Sequence, residues 1–172
     1  PCHIYTLVSI QKQALANLGE SGPYILAPHS MSGLEAIRWK QKYPDDVSAI
    51  VGIDMATPLS FSVWSEGDIK KTVRLMRVIR RLKLANILSS VSTLSLTENE
   101  IEQHKLLKKR NAFNICCINE AVEVLNNARI VGEDGNIQCP TLLFSSNGKD
   151  QERDWVENQQ KFAVSMGARL IS

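Results

Sequence analysis

Ser30 carries the strongest chemical signal in the chain. It stands in Pro28-His29-Ser30-Met31-Ser32-Gly33, after the short apolar run that follows Pro23 and immediately before a helical pattern. A serine hydroxyl becomes a useful nucleophile when it projects from a sharp strand-to-helix turn. The next backbone N–H and the helix N-terminus then face the oxyanion that develops on an attacked carbonyl. With Ser30 in that role, the N–H belongs to Met31. Turns of this kind usually read G-x-S-x-G, and here Pro28 and Ser32 fill the outer places. Ser32 keeps the third place small, while Pro28 demands a backbone φ near that of proline. Moving the nucleophile to Ser32 would put Leu34 where a small residue is needed, so Ser30 is the better register.

The elements that must position Ser30 are legible around it. Leu34–Tyr43 is a helical run closed by Pro44, Val47–Ile53 reads as a buried strand and Cys139–Phe144 as another, the strand–helix–strand order of a parallel sheet. The His-Ser-Met core with Gly33 resembles the G-H-S-M-G-G elbow of the α/β-hydrolase superfamily. That resemblance implies a partial α/β-hydrolase fold of about four parallel strands with a helical cap inserted. Residues 1–58 and 139–172 would form the core and 59–138 the cap or lid. It implies a serine hydrolase acting on an ester, amide or related small-molecule acyl substrate, with no cofactor or metal. Carbon–halogen and epoxide chemistry in this fold usually puts Asp at the elbow, and Ser30 argues against it. A non-catalytic member that binds a ligand in the capped pocket is the alternative, and a fragment without function of its own is a third.

A serine hydrolase needs a base for the Ser hydroxyl and a carboxylate to orient the base, following the nucleophile in the order acid, then His. Two acids lie just past the C-terminal ends of expected strands, the sheet edge that also holds Ser30. Asp150 closes Phe144-Ser-Ser-Asn-Gly-Lys-Asp and is the favoured candidate, although its loop is one residue longer than the usual G-x-x-D spacing. Asp54, in Gly52-Ile-Asp-Met-Ala-Thr-Pro58, holds a position that some members use for the acid. Its plainer role is a turn aspartate capping local amides. Asp45 and Asp46 fall at the opposite edge and read as solvated turn residues. None of the three histidines suits the base: His3 is at or before the first helix, His29 is locked beside the nucleophile, and His104 falls in a helix.

The chain opens on a helix, with Ile4, Leu7, Val8, Gln11, Ala14, Leu15 and Leu18 at helical spacing and Gly19 as its C-cap. A helix at Trp155–Met166, stopped by Gly167, leads into a strand beginning at Ala168. The resemblance therefore implies a fragment running from the helix before the elbow to the start of the last strand. The first strands, the second oxyanion donor and the catalytic His, expected beyond Ser172, would lie outside it.

The expected cap is helical. In Asp68–Leu84, Lys70, Arg74, Arg77 and Arg81 form a cationic stripe, and Leu75, Val78, Ile79 and Leu82 an apolar face. Thr97 with Glu100 makes a capping box opening a helix to about Arg110; Asn111–Asn127 forms another, and Gly132–Gly135 a turn back to the sheet. Trp64 and Phe61 could line an acyl pocket or pack in the core. The cationic helix could meet anionic lipid or a partner, but such stripes more often face solvent, and no membrane surface is expected as a partner.

Composition bounds the rest. The 172 residues are 44% hydrophobic with a net charge of +2, the size and balance of a single soluble unit. No apolar run approaches a membrane span and the first residues lack a secretory pattern, so a cytoplasmic setting is expected. Cys2, Cys116, Cys117 and Cys139 have no metal spacing and read as buried reduced thiols. Neither a phosphate-binding glycine loop nor an aromatic-and-basic nucleic-acid surface is present, and nucleic acid is not an expected partner.

Overall fold

The computed structural model describes residues 2–82, 84, 96–146 and 154–172. They divide into two compact units, residues 1–63 with 124–172, and residues 64–123.

The first unit is a parallel sheet with helices packed on it. Helix α1 (Ile4–Asn17) buries Ile4 and Val8. It stops at Gly19, whose φ of +78° costs glycine nothing and lets the Glu20 N–H reach Leu15 O at 3.0 Å. Strands β1 (Tyr24–Leu26) and β2 (His29–Ser30) are two pieces of one edge path, both parallel to β3 (Val47–Met55). The path is interrupted at Ala27–Pro28, where proline has no N–H to give a ladder. Helix α2 (Ser32–Lys42) starts straight after the elbow and buries Leu34, Ala36, Ile37 and Trp39. Beyond β3, strands β4 (Thr141–Phe144) and β5 (Arg169–Ile171) complete the order β1-β3-β4-β5. The expected sheet of about four parallel strands is therefore present.

One face of the sheet carries the core. Ile50 and Leu143 are 1% and 0% exposed, and Met55 closes the row at the end of β3. The other face shows Ile25, Ile53, Phe144 and Ile171 to solvent, the last three aligned as register partners across β3, β4 and β5. At the far edge from Ser30, Asp46 is no idle turn residue: it pairs with Lys12 and accepts a hydrogen bond from the Trp39 indole at 3.2 Å. Arg38, buried in α2, pairs with Asp134 and lies 4.3 Å from the Tyr5 ring centre.

The second unit is helical. Helix α3 (Glu66–Arg81) begins two residues earlier than its apolar pattern suggested. The reason is a capping box: Ser65 Oγ accepts from the Asp68 N–H at 3.2 Å, and the Asp68 carboxylate accepts from the Ser65 N–H at 3.1 Å. Its buried face also differs from the expected one. Val73, Met76 and Ile79 are buried, whereas Leu75, Val78 and Leu82 are exposed. Val73 and Met76 pack with Ile118, and Ile69, Phe113, Cys117 and Ala121 close around them. Helix α4 (Glu98–Asn111) opens on the expected Thr97–Glu100 box. Helix α5 (Ile115–Glu133) starts later and runs further than expected. Phe113, at φ +51°, breaks the chain from α4, and Asn114 Oδ1 caps the Cys117 N–H at 2.9 Å. Gly132 stays helical, and the turn falls at Gly135, φ +82°.

Cys116 is exposed and Cys2, Cys117 and Cys139 are half-buried, so the expectation of buried thiols is not met. The adjacent pair on α5 explains this, since neighbours on a helix point about 100° apart. Burial, with Glu120 adding to it, pushes the Cys117 thiol above its usual range. Among the described residues no His, Cys, Asp and Glu group could hold a metal ion, and no helix is long and apolar enough to cross a membrane.

Candidate active site

Ser30 is the last residue of β2, and α2 begins two residues later. Its φ is +53°, a region that non-glycine residues seldom occupy because Cβ crowds the backbone. Backbone strain of this kind costs on the order of 1–3 kcal/mol and persists only where the surroundings enforce it. Here the enforcement is visible on both sides of the turn. Pro28 O accepts from the Ile53 N–H at 2.8 Å, and Ser30 O accepts from the Ala56 N–H at 2.7 Å.

Ser32 and Gly33 share the work that sequence reasoning gave to Ser32 alone. Ser32 Oγ accepts from the His29 N–H at 3.0 Å and donates to His29 O at 2.8 Å, so its hydroxyl ties the turn together as well as being small. The close approach falls one residue later. A Cβ on Gly33 would sit 2.1 Å from Ala56 O and 3.0 Å from the Met55 Cβ, which only glycine avoids. Ser30 itself is exposed. The Met31 N–H lies just ahead of the first turn of α2, where a helix has no carbonyl of its own to bond it.

Asp54 is the extra residue of a β-bulge. His29 pairs with Ile53 and Ser30 with Met55, which leaves Asp54 unmatched on β3. Its φ is +47°, and bulges re-aim the side chain they carry. Asp54 Oδ1 accepts from the Ser146 N–H at 3.1 Å and from the Trp155 indole N–H at 2.8 Å. Burial raises its pKa, but the hydrogen bonds from Ser146 and Trp155 outweigh that, with His29 nearby acting in the same direction. The net result holds the carboxyl below the usual carboxylate range. Just downstream, Thr57 and Ser60 form a capping box in which Ser60 Oγ accepts from the Thr57 N–H at 3.0 Å. Ser146 follows β4, and Trp155 opens helix α6 (Trp155–Met166). On the same helix, Gln159, 1% exposed, donates to Met55 O at 2.6 Å and fixes the strand end beyond the bulge.

The structure thus brings Ser30, Met31 and Asp54 to one sheet edge. Asp150 lies outside the described residues, as do Asn147 and Gly148 of its loop. His29 is exposed beside the turn, His3 precedes α1 and stacks on Tyr5, and His104 is on α4 in the helical unit. Sequence reasoning missed Trp155 and Ser146 as partners of Asp54. A tryptophan at the first position of a helix carries no local sign of a distant acceptor.

These features match known proteins at the level of fold. The chain superposes on an esterase from Exiguobacterium antarcticum with a TM-score of 0.71 at 16% identity, covering 99% of this chain and 65% of that one. An alpha/beta hydrolase enzyme from a Medee basin deep-sea metagenome gives 0.61 at 19% identity, covering 96% and 61%. A hydrolase from Oleispira antarctica gives 0.63 at 15%, covering 99% and 64%. The chain therefore has the α/β-hydrolase fold. By sequence it is 28% identical over 159 residues to the uncharacterized protein YbdG of Bacillus subtilis (strain 168), covering 87% of this chain and 49% of that protein. The chain thus spans about half the length of the curated relative it matches. No family model matches it.

Proposed function

We propose that the protein is a serine hydrolase of the α/β-hydrolase fold acting on an ester, amide or related acyl group. The observation that supports this most is the left-handed Ser30, held at φ +53° between a strand and a helix with Gly33 pressed against Ala56. Strain at an exposed serine has no packing purpose, and it is the geometry that a projecting nucleophile needs. Ser30 Oγ attacks the acyl carbonyl, the Met31 N–H and the N-terminus of α2 take the oxyanion, and water then releases the acyl group. The scheme requires a His as general base. Asp54, ionised and on the same sheet edge, is the carboxylate that the described geometry supports for orienting it. Residues 64–123, which follow β3 in the chain, are proposed as the cap. No cofactor enters this scheme.

A second reading of the acid has its own support. The hydrogen bonds from Ser146 and Trp155 to Asp54 come from the two ends of the β4–α6 connection, which supports Asp54 as a clamp for that loop, with the orienting role left to Asp150.

The test of the main reading is fluorophosphonate labelling of the full-length protein. Ser30 should be the labelled residue and Ser30→Ala should lose all label with an unchanged circular dichroism spectrum. Ser32→Ala should label more slowly, since it loses both ties to His29. Undiminished labelling of Ser30→Ala would overturn the proposal.

A further inference from the structure

Helix α3 has two apolar faces and uses only one of them inside the protein. Val73, Met76 and Ile79 are buried. Leu75, Val78 and Leu82 follow one another at helical spacing on a different side and are 60%, 45% and 59% exposed. Lys71 lies within that stripe by spacing, and Arg74 and Arg81 run along its edge, with Lys70 and Arg77 just beyond.

The charge along this helix is one-sided. After Asp68 no acidic residue occurs up to Leu82. Lys70 and Lys71 pair with Glu66 and Asp68 in the first turn. Among the described residues no carboxylate pairs with Arg74, Arg77, Arg80 or Arg81.

We propose that this face of α3 docks on an anionic phospholipid bilayer. A face meant only for solvent has no use for three exposed aliphatic side chains, and a face meant for a protein core has no use for a border of Arg74 and Arg81, neither of them paired with a carboxylate among the described residues. The combination of an apolar stripe with a cationic border and no acid is what a helix lying in a membrane interface presents. The stripe from Lys71 to Leu82 is about 16 Å long at 1.5 Å per residue. A bilayer matches it because lipid phosphates are available in any register and the acyl boundary receives the aliphatic side chains. The long arginine stems can reach up to the headgroups while Leu75, Val78 and Leu82 sink below them. Cationic stripes of this kind more often face solvent, with their stems covering apolar residues; here Leu75, Val78 and Leu82 stay exposed beside the stripe, and that exposure is what opens this use. The proposal is independent of the role of Ser30.

Sedimentation of the full-length protein with lipid vesicles tests it. The protein should pellet with phosphatidylcholine vesicles containing about a third phosphatidylglycerol and stay in solution with pure phosphatidylcholine. Binding should fall as salt rises from about 0.1 M to about 1 M. Replacing Arg74, Arg77 and Arg81 by Gln should lower partitioning about fivefold per residue, the factor equivalent to about 1 kcal/mol for each basic group at a lipid surface. Leu75→Ser, Val78→Ser and Leu82→Ser together should also release the protein. Both variants should keep native circular dichroism and native fluorophosphonate labelling of Ser30, so failure here is separable from failure of the hydrolase reading. Equal pelleting with neutral vesicles would overturn the proposal, as would wild-type binding by the arginine variant. A serine variant that only turns a dimer into a monomer would assign the face to a second copy, and capture by soluble polyglutamate without vesicle binding would assign it to an acidic polypeptide; either also overturns it.

Discussion

Ser30 and Asp54 both adopt left-handed backbone, at φ +53° and +47°, at the C-terminal ends of two adjacent parallel strands. The two are linked by one irregularity. The bulge that leaves Asp54 unpaired shifts the register by a residue, so that Ser30 aligns with Met55 and its carbonyl takes the Ala56 N–H. Left-handed aspartate is tolerated more readily than left-handed serine, because a short polar side chain can hydrogen-bond locally. The greater share of the strain therefore sits at the residue proposed to do chemistry.

The first expectation concerns the approach of α2 to β3. Gly33→Ala would force a Cβ to 2.1 Å from a backbone carbonyl oxygen that has little room to retreat. It should destabilise the protein by about 3 kcal/mol, as overpacking of a tight contact does. Gly132→Ala is the matched control: it is helical and its Cβ would meet only Pro58 Cβ at 3.5 Å. That change should stabilise by about 0.5–1 kcal/mol from helix propensity. Thermal melts of the two variants decide, and a mild effect of Gly33→Ala would mean that the elbow is more yielding than its contacts show.

The two candidate acids separate in steady-state kinetics. Asp→Asn at the orienting carboxylate should lower kcat by about three to four orders of magnitude, because an amide favours the wrong His tautomer. Asp54→Asn is expected to show this loss and Asp150→Asn a mild one. The reverse order would make Asp54 a loop clamp, and activity unchanged in both variants would remove the triad.

Trp155→Phe tests how Asp54 is held. The indole N–H is replaced by a ring edge, which should raise the Asp54 pKa toward its ordinary value and cost about 1.5 kcal/mol at neutral pH, as for a hydrogen bond to a charged group. The pH dependence follows from the depressed native pKa. The stabilising effect is complete above the pKa of an unfolded aspartate, near 3.9, and is lost as pH falls through the lower native value. The stability difference between native protein and variant should therefore shrink between about pH 5 and pH 2. A difference that stays constant across this range would mean that Trp155 acts by packing alone.

The sequence by itself determined the elbow, the helix boundaries set by Gly19 and Gly167, the Thr97–Glu100 cap and the parallel order of the strands. Each of these is local: a turn that needs glycine, a cap three residues long, or an apolar run beside a helical one. Tertiary structure decided what depends on residues far apart in the chain. It moved the tight contact from Ser32 to Gly33, because the obstacle is Ala56, just past the end of β3. It gave Asp54 its partners, Ser146 and Trp155, roughly a hundred residues away. It also chose which apolar stripe of α3 is buried. Leu75, Val78 and Leu82 have the spacing of a core face as much as Val73, Met76 and Ile79 do. Only the packing of Ile118 against the latter side settles which of the two meets solvent.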